Sequence, residues 1–280
     1  MEFGVSMIFT DESVGPRELL PAIEDHGFSA VFVPEHIHIP ANIQSSYPHG
    51  EFPRTHARMF DPFVVLSLAA GLTSDLKLGF GVCLLAQRDP ITTAKAVASL
   101  DRLSGGRVLF GVAPGWNREE VANHGVDPDQ RFAVLRERVE AVRRLWTTDE
   151  ATYHGEHVRF NELWSWPKPV QHPHPPVLIG GNGPTVVDRV IAYGDGWMPV
   201  CSGDPDDLRV RIEQLHQHGQ QVGRDYDVSI VRTTPKPEIL EAYREMGVTR
   251  CTFRVPSAAR DAALPELARL AALRDEFLGS

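Results

Sequence analysis

Short apolar runs alternate with longer amphipathic ones along the whole chain. Eight nearly continuous apolar runs read as strands, at residues 3–9, 30–33, 77–84, 108–113, 177–180, 196–200, 228–232 and 249–255. Runs of this kind, without polar alternation, are expected of strands covered on both faces, and such strands belong to parallel sheets. Helical patterns follow them at 16–26, 62–73, 91–103, 129–146, 184–192, 205–222, 237–246 and 258–277. The punctuation agrees. Pro16, Pro90, Pro184 and Pro205 stand near first turns, where a missing N–H costs nothing. Gly27, Gly105 and Gly247 stand just past helix ends, where a left-handed residue closes the last turn. Eight β/α pairs in 280 residues predict an α/β fold, a (β/α)8 TIM barrel, as a single domain over residues 1–280. An open doubly wound sheet is the alternative. It is disfavoured because the first strand–helix junction lacks a GxGxxG fingerprint.

Two connections are long. Residues 35–61 follow the second strand, and residues 148–176 follow the fourth helix. Loops of this length in a compact barrel are usually functional lids or disordered. The first lies on the carboxyl-end face, where barrels place their chemistry, and reads as a lid or specificity loop. The second is expected to include a short hairpin on the amino-end side.

Composition narrows the classes. A net charge of −9 argues against a nucleic-acid binder or a binder of anionic membranes, both of which need a basic stripe. No apolar run is long enough to span a bilayer. The three cysteines, Cys83, Cys201 and Cys251, lie far apart in apolar runs with no CxxC, and read as buried small hydrophobes. The chain enters its first strand without a charged leader region, so a cytoplasmic location is expected.

The residues that could carry chemistry cluster at strand ends. Glu35 and His36 follow the second strand directly. An imidazole exchanges protons near neutrality, and a neighbouring carboxylate can orient it. The other reading is that the two side chains cap the strand and make local ion pairs. His36-x-His38 would face one way on a strand and could begin a metal site. Later strand ends offer Gly180-Gly181, Val200-Cys201 and Arg254-Val255, which do not complete a ligand set, so no metal is expected. Pro114-Gly115 and Gly180-Gly181-Asn182-Gly183 are glycine-bearing strand–helix junctions. Two of them in one barrel mouth could cradle phosphate through backbone N–H groups. Arg54, His56 and Arg58 form a basic cluster in the first long loop, with Phe52, Phe60 and Phe63 as its anchors.

Several stretches together carry a resemblance: VFVPEH at 31–36, LGFGV at 78–82, LDRLSGGRVLFGVAPGWNREE at 100–120, PPVLIGGNGP at 175–184 and YGDGWMPV at 193–200. In this order the chain resembles the bacterial-luciferase-like family of flavin and deazaflavin oxidoreductases. Within that family it is most similar to the actinobacterial group that uses coenzyme F420. The resemblance implies that Glu35 contacts the deazaflavin and that His36 stands near the site of hydride transfer. It implies a bulge with a non-proline cis peptide at Gly81–Val82, backing the cofactor ring. Pro114, Gly115, Ile179, Gly180 and Gly181, with Asn182 in the same junction, would meet the phosphate-bearing side chain, and Glu119 falls at a polar cofactor contact. Trp116 stands where the family's sugar-phosphate dehydrogenases have a glutamate, and Pro40 where they have a tryptophan, which argues against that activity. The expected function is F420-dependent hydride transfer to or from a small-molecule substrate. FMN as cofactor in a monooxygenase is the alternative, and a barrel that binds a flavin without turnover is a more distant one. A homodimer is implied by the resemblance, with the helices at 62–73 and 91–103 as candidate interface elements.

Overall fold

A computed structural model describes residues 1–47, 52–201 and 204–279. All eight predicted strand runs are strands: β1 (Glu2–Ser6), β2 (Ala30–Val33), β3 (Lys77–Cys83), β4 (Val108–Val112), β7 (Val177–Gly180), β8 (Gly196–Met198), β9 (Asp227–Ile230) and β10 (Arg250–Arg254). They close into one parallel barrel in the ring order β1-β10-β9-β8-β7-β4-β3-β2. Pairing runs in parallel register around the ring, from Glu2 beside Arg250 to Ala30 beside Lys77, with one shift between β3 and β4. Several strands stop short of the sequence reading. The apolar residues Met7 and Phe9 continue beyond β1 as buried loop, because the apolar pattern reports burial and not ladder pairing.

The expected TIM barrel is therefore the observed fold, ringed by α1 (Pro16–Asp25), α2 (Pro62–Leu72), α3 (Pro90–Leu103), α5 (Arg131–Thr147), α6 (Val186–Tyr193), α7 (Asp206–Val222), α8 (Pro237–Glu245) and α9 (Arg260–Gly279). Two features lie outside the eight-fold pattern. One is a short helix, α4 (Arg118–Asn123), inserted before α5. The other is the antiparallel hairpin β5 (Glu150–His154) and β6 (Arg159–Trp164), within the second long connection. Glu137 of α5 accepts three backbone N–H bonds, at 2.7–2.9 Å, from Glu156, His157 and Val158 at the hairpin tip. Glycines at 27, 105 and 247 take φ of +76°, +70° and +74°, the left-handed closures expected of them. Pro184 and Pro205 sit just before their helices and not inside them.

The core has two layers. Strand faces turned outward pack against the helices, and the barrel interior is filled by Ala30, Phe32, Leu109, Leu178, Met198 and Val231. That interior is packed, as in other barrels of this kind, and the hollow lies above it at the carboxyl ends. Gly79 makes the filling possible: a Cβ there would stand 2.3 Å from the Phe32 ring. Among the described residues no helix is long and apolar enough to cross a membrane.

Candidate active site at the carboxyl-end mouth

A cavity of about 180 Å³ opens at the carboxyl ends of β1, β2, β3, β9 and β10. Its walls include Glu35, His36, Gly81, Val82 and Trp116, with Tyr47 and His56 from the first long loop. Six positions singled out from the sequence, Glu35, His36, His56, Gly81, Val82 and Trp116, thus meet in one hollow, although they span 82 residues of chain.

His36 is held from both sides. Its Nδ1 lies 2.7 Å from Glu120 Oε2, and Trp116 Nε1 donates to its Nε2 at 3.2 Å. An indole N–H can only donate, so Nε2 accepts and the ring proton sits on Nδ1, donated to Glu120. Glu120 is buried completely, and its second oxygen accepts the Ile37 backbone N–H at 3.2 Å. The carboxylate that orients His36 is therefore Glu120 and not Glu35. Glu35 makes the local ion pair instead. Its oxygens take the Leu84 N–H at 2.7 Å and Arg88 Nε at 2.7 Å, and Arg88 Nη2 closes a second bond. Arg88 also reaches Asp61, the N-cap of α2, at 2.6 Å. This buried pair locks the ends of β2, β3 and α2 together.

Glu120 owes its place to α4. Asn117 caps that helix, accepting the Glu120 N–H at 2.9 Å. Asn-x-x-Glu is a helix-start signature, in which the glutamate commonly turns back to the cap. Here the glutamate turns inward to His36. The signature was legible in the sequence; the direction of the side chain was not. Glu119, one residue earlier, faces the other way. Its carboxylate takes the Ser45 hydroxyl at 2.6 Å and the Gln44 N–H at 3.2 Å, tethering the first long loop outside the cavity. These bonds, with the Ser45 hydroxyl first, hold its pKa below the ordinary carboxylate value.

The first long loop folds over His36 as an aromatic cover. Tyr47, Phe52 and His56 pack on one another, and Tyr47 and Phe52 also on Trp116, with ring centroids 5.2–5.7 Å apart. His56 is buried and its pKa is lowered to about 4, chiefly by burial and next by the nearby His36. The basic cluster read from the sequence is split. His56 turns inward, while Arg58 pairs with Asp11 at 2.6 Å and Glu12 at 3.0 Å on the surface. Phe63 packs on Phe80 at 4.6 Å, as an anchor should, and Phe60 is left partly exposed. His38 bonds Asn123 at 2.9 Å and stacks near His124, so the two histidines of the 36–38 pair part company.

Gly81–Val82 forms the expected bulge. The β3–β4 register shifts between Phe80 and Cys83, and the Gly81–Val82 peptide is cis. Gly180 lies against it: a Cβ at Gly180 would stand 2.8 Å from Val82. The two glycine junctions lie beside this bulge, outside the cavity wall. Gly115 has φ of +91°, and a Cβ there would stand 2.7 Å from Gln87 Nε2. Both polar atoms of the buried Gln87 amide lack a hydrogen-bond partner. Such atoms call for a ligand or water. Gly181, at φ of +107°, has open space where its Cβ would be. Asn182 is not free for a ligand, since its amide is taken up by Val200, donating at 2.7 Å and accepting at 2.9 Å. Ile179 points into the core, and Pro114 is buried. The shelf thus offers glycine backbone and the Gln87 amide, which fit the phosphate-bearing arm of a flavin-type cofactor.

Residues 15–237 match the model of the family described as luciferase-like monooxygenase, and the chain belongs to that family of oxidoreductases and monooxygenases. An uncharacterized protein of Mycobacterium tuberculosis is 40% identical over 279 residues, covering 97% of this chain and 98% of that one. The fold is also that of monooxygenase RslO1 from Streptomyces bottropensis, at a TM-score of 0.82 and 20% identity, covering 99% and 98% of the two chains. The coenzyme F420-dependent tetrahydromethanopterin reductase from Methanopyrus kandleri superposes at a TM-score of 0.75 and 18% identity, over 99% of both chains.

Proposed function

We propose that this chain is a coenzyme F420-dependent oxidoreductase that moves a hydride between the deazaflavin and a small organic substrate. The observation that carries the reading is the Glu120–His36–Trp116 constellation, set beside the Gly81–Val82 bulge at the barrel mouth. The run from 100 to 120, which resembles the F420-using group, contains two of those residues. The F420-dependent reductase of the same fold adds support.

In this reading Gly81 and Val82 would back the ring, and Gly115, Gly180, Gly181 and Gln87 would hold the phosphate arm. When bound, the deazaflavin supplies two-electron hydride exchange at its C5, and the protein supplies position, protons and exclusion of water. His36 Nε2 holds or accepts the substrate proton once the Trp116 N–H gives way. Glu120 fixes the ring through Nδ1 and stabilises the imidazolium that forms. Tyr47, Phe52 and Trp116 close the cavity against water. The second reading, an FMN-dependent monooxygenase, is favoured by the likeness to RslO1.

Titration of the purified protein with oxidised F420 and with FMN, followed by fluorescence quenching, tests the choice. F420 is expected to bind at least about tenfold more tightly, a difference of roughly 1.4 kcal/mol. The reverse preference moves the protein to the monooxygenase reading. Binding of neither withdraws both.

A further inference from the structure

We propose that Arg232 and Arg254 form a binding site for an anionic group of the substrate, so that the compound turned over here is a small organic acid with an apolar body. The word substrate rests on the oxidoreductase reading above; the anion site rests on the geometry alone.

Arg254 ends β10, and Arg232 follows β9 by two residues. The strands are neighbours in the barrel, and both side chains line the active-site cavity. Among the described residues neither guanidinium has an ion pair or a side-chain hydrogen bond, while other arginines such as Arg88, Arg143 and Arg250 pair with carboxylates. Arg17, Arg54, Arg144 and Arg159 also show no side-chain partner among the described residues, but Arg232 and Arg254 are the pair that lines the cavity, in a chain of net charge −9. Two like charges set side by side without a counter-ion repel, and an anion between them relieves the repulsion. Burial and the charge of Arg232 both push the Arg254 pKa down. Both line the same cavity as the His56 ring, and their charge adds to burial and His36 in lowering the pKa of that ring.

Position separates this site from the glycine shelf. In the ring of eight strands, β10 stands opposite β4, whose exit carries Gly115, and β9 stands opposite β3, whose bulge is Gly81–Val82. A cofactor arm on the β4–β7 side leaves the β9–β10 side to another ligand. Besides His56, the cavity that the arginines share with His36 is lined by the apolar residues Met7, Ile8, Met59, Val200 and Val231. A guanidinium fork matches an oxyanion, planar or tetrahedral, with two parallel hydrogen bonds. The ligand chemistry is thus an oxyanion at one end and hydrocarbon toward the reacting carbon.

Isothermal titration of the full chain with benzoate, phenylphosphonate and methyl benzoate tests the site, with F420 binding measured in parallel. Benzoate or phenylphosphonate is expected to bind at least about tenfold more tightly than the uncharged ester, as a charge-assisted pair requires. Whichever binds more tightly names the anion as planar or tetrahedral. Arg232→Gln and Arg254→Gln are each expected to weaken the better anion about tenfold or more while F420 binding is unchanged. Both variants are expected to unfold at the wild-type temperature, because neither side chain holds another in place. Wild-type binding of the anions no tighter than the ester, or anion binding unaffected by the substitutions, overturns the proposal. So does loss of F420 in place of the anion, which would make the pair part of the cofactor site. If the wild type binds neither F420 nor FMN and the anion still depends on both arginines, the anion site stands and the oxidoreductase reading falls.

Discussion

His36 does its work only because two other side chains fix its tautomer. Glu120→Gln keeps the shape of the partner but removes the charge that stabilises an imidazolium. With a substrate in hand, turnover of F420 is expected to fall by about 10- to 100-fold, the share general acid–base chemistry commonly supplies. F420 affinity should stay within about threefold, since both Glu120 oxygens are taken up by His36 and the Ile37 N–H. Stopped-flow measurement of hydride transfer, with a parallel F420 titration, checks both halves; equal loss of binding would make Glu120 structural only. His56 gives a prediction that needs no substrate. Its folded pKa is lowered to about 4 from an ordinary 6.5. The unfolded chain therefore takes up a proton that the folded chain refuses. The contribution of the neutral ring is whole above about pH 6.5 and is lost as pH falls toward 4. In urea unfolding, His56→Gln is expected to lose about 1–2 kcal/mol less stability than wild type between pH 7 and 4.5. An identical pH slope would show that other groups govern it. Sequence placed His36 correctly at the mouth but paired it with the wrong carboxylate. Adjacency along the chain suggested Glu35, whereas adjacency in space belongs to a residue 84 positions away.

At the scale of elements, the site is assembled by a corner. Arg88, two residues before α3, binds Glu35 after β2 and Asp61 at the start of α2, and lies 4.5 Å over the Phe63 ring. Arg138 of α5 holds the 3-10 turn Leu85–Gln87 by donating to the carbonyls of Leu85, Ala86 and Arg88 at 2.7–3.2 Å. Gln87 is thereby aimed at Gly115. Breaking this corner leaves the buried Glu35 without its cation. Arg88→Met is expected to cost about 3 kcal/mol in chemical unfolding. The double variant Glu35→Gln with Arg88→Met should cost less than Arg88→Met alone, because an unpaired buried charge is worse than none. A double variant as unstable as the sum of the two singles would refute the coupling. The strands and large helices were legible because burial on both faces writes an unbroken apolar run, and because Pro and Gly punctuate the helices. The hairpin was expected from the length of its connection. What the apolar pattern did not show was α4, whose six residues carry too little apolar content for a period and which only its Asn117 start signature marks. The use of Arg88, Arg232 and Arg254 was equally hidden, since nothing local to an arginine says which carboxylate, if any, it will find.

The whole molecule presents one face that the barrel alone does not explain. α2 has the sequence PFVVLSLAAGL, without a single charge, although it lies on the outside of the barrel. Its inner side buries Val65, Leu66 and Ala69, yet Val64 remains 69% exposed, and Phe60 and Ile91 nearby are also exposed. A helix apolar all round is normally covered on both sides, and a patch of this kind marks an interaction surface. α2 packs on α1 and α3 within the chain, which leaves its outer side for another molecule. A second copy is the occupant this family resemblance implies, through an isologous contact in which α2 and α3 meet their own counterparts. Because the same α2 begins at Asp61, which Arg88 ties to Glu35, association would also brace the corner beneath the active site. Val64→Glu places two buried like charges near the two-fold axis and is expected to convert a dimer to a monomer in sedimentation-velocity runs. The thermal midpoint should then become independent of protein concentration, whereas that of the wild type should rise with it. A wild type that sediments as a monomer at every concentration would remove the dimer. A Val64→Glu variant that stays dimeric would move the interface to another face of the barrel.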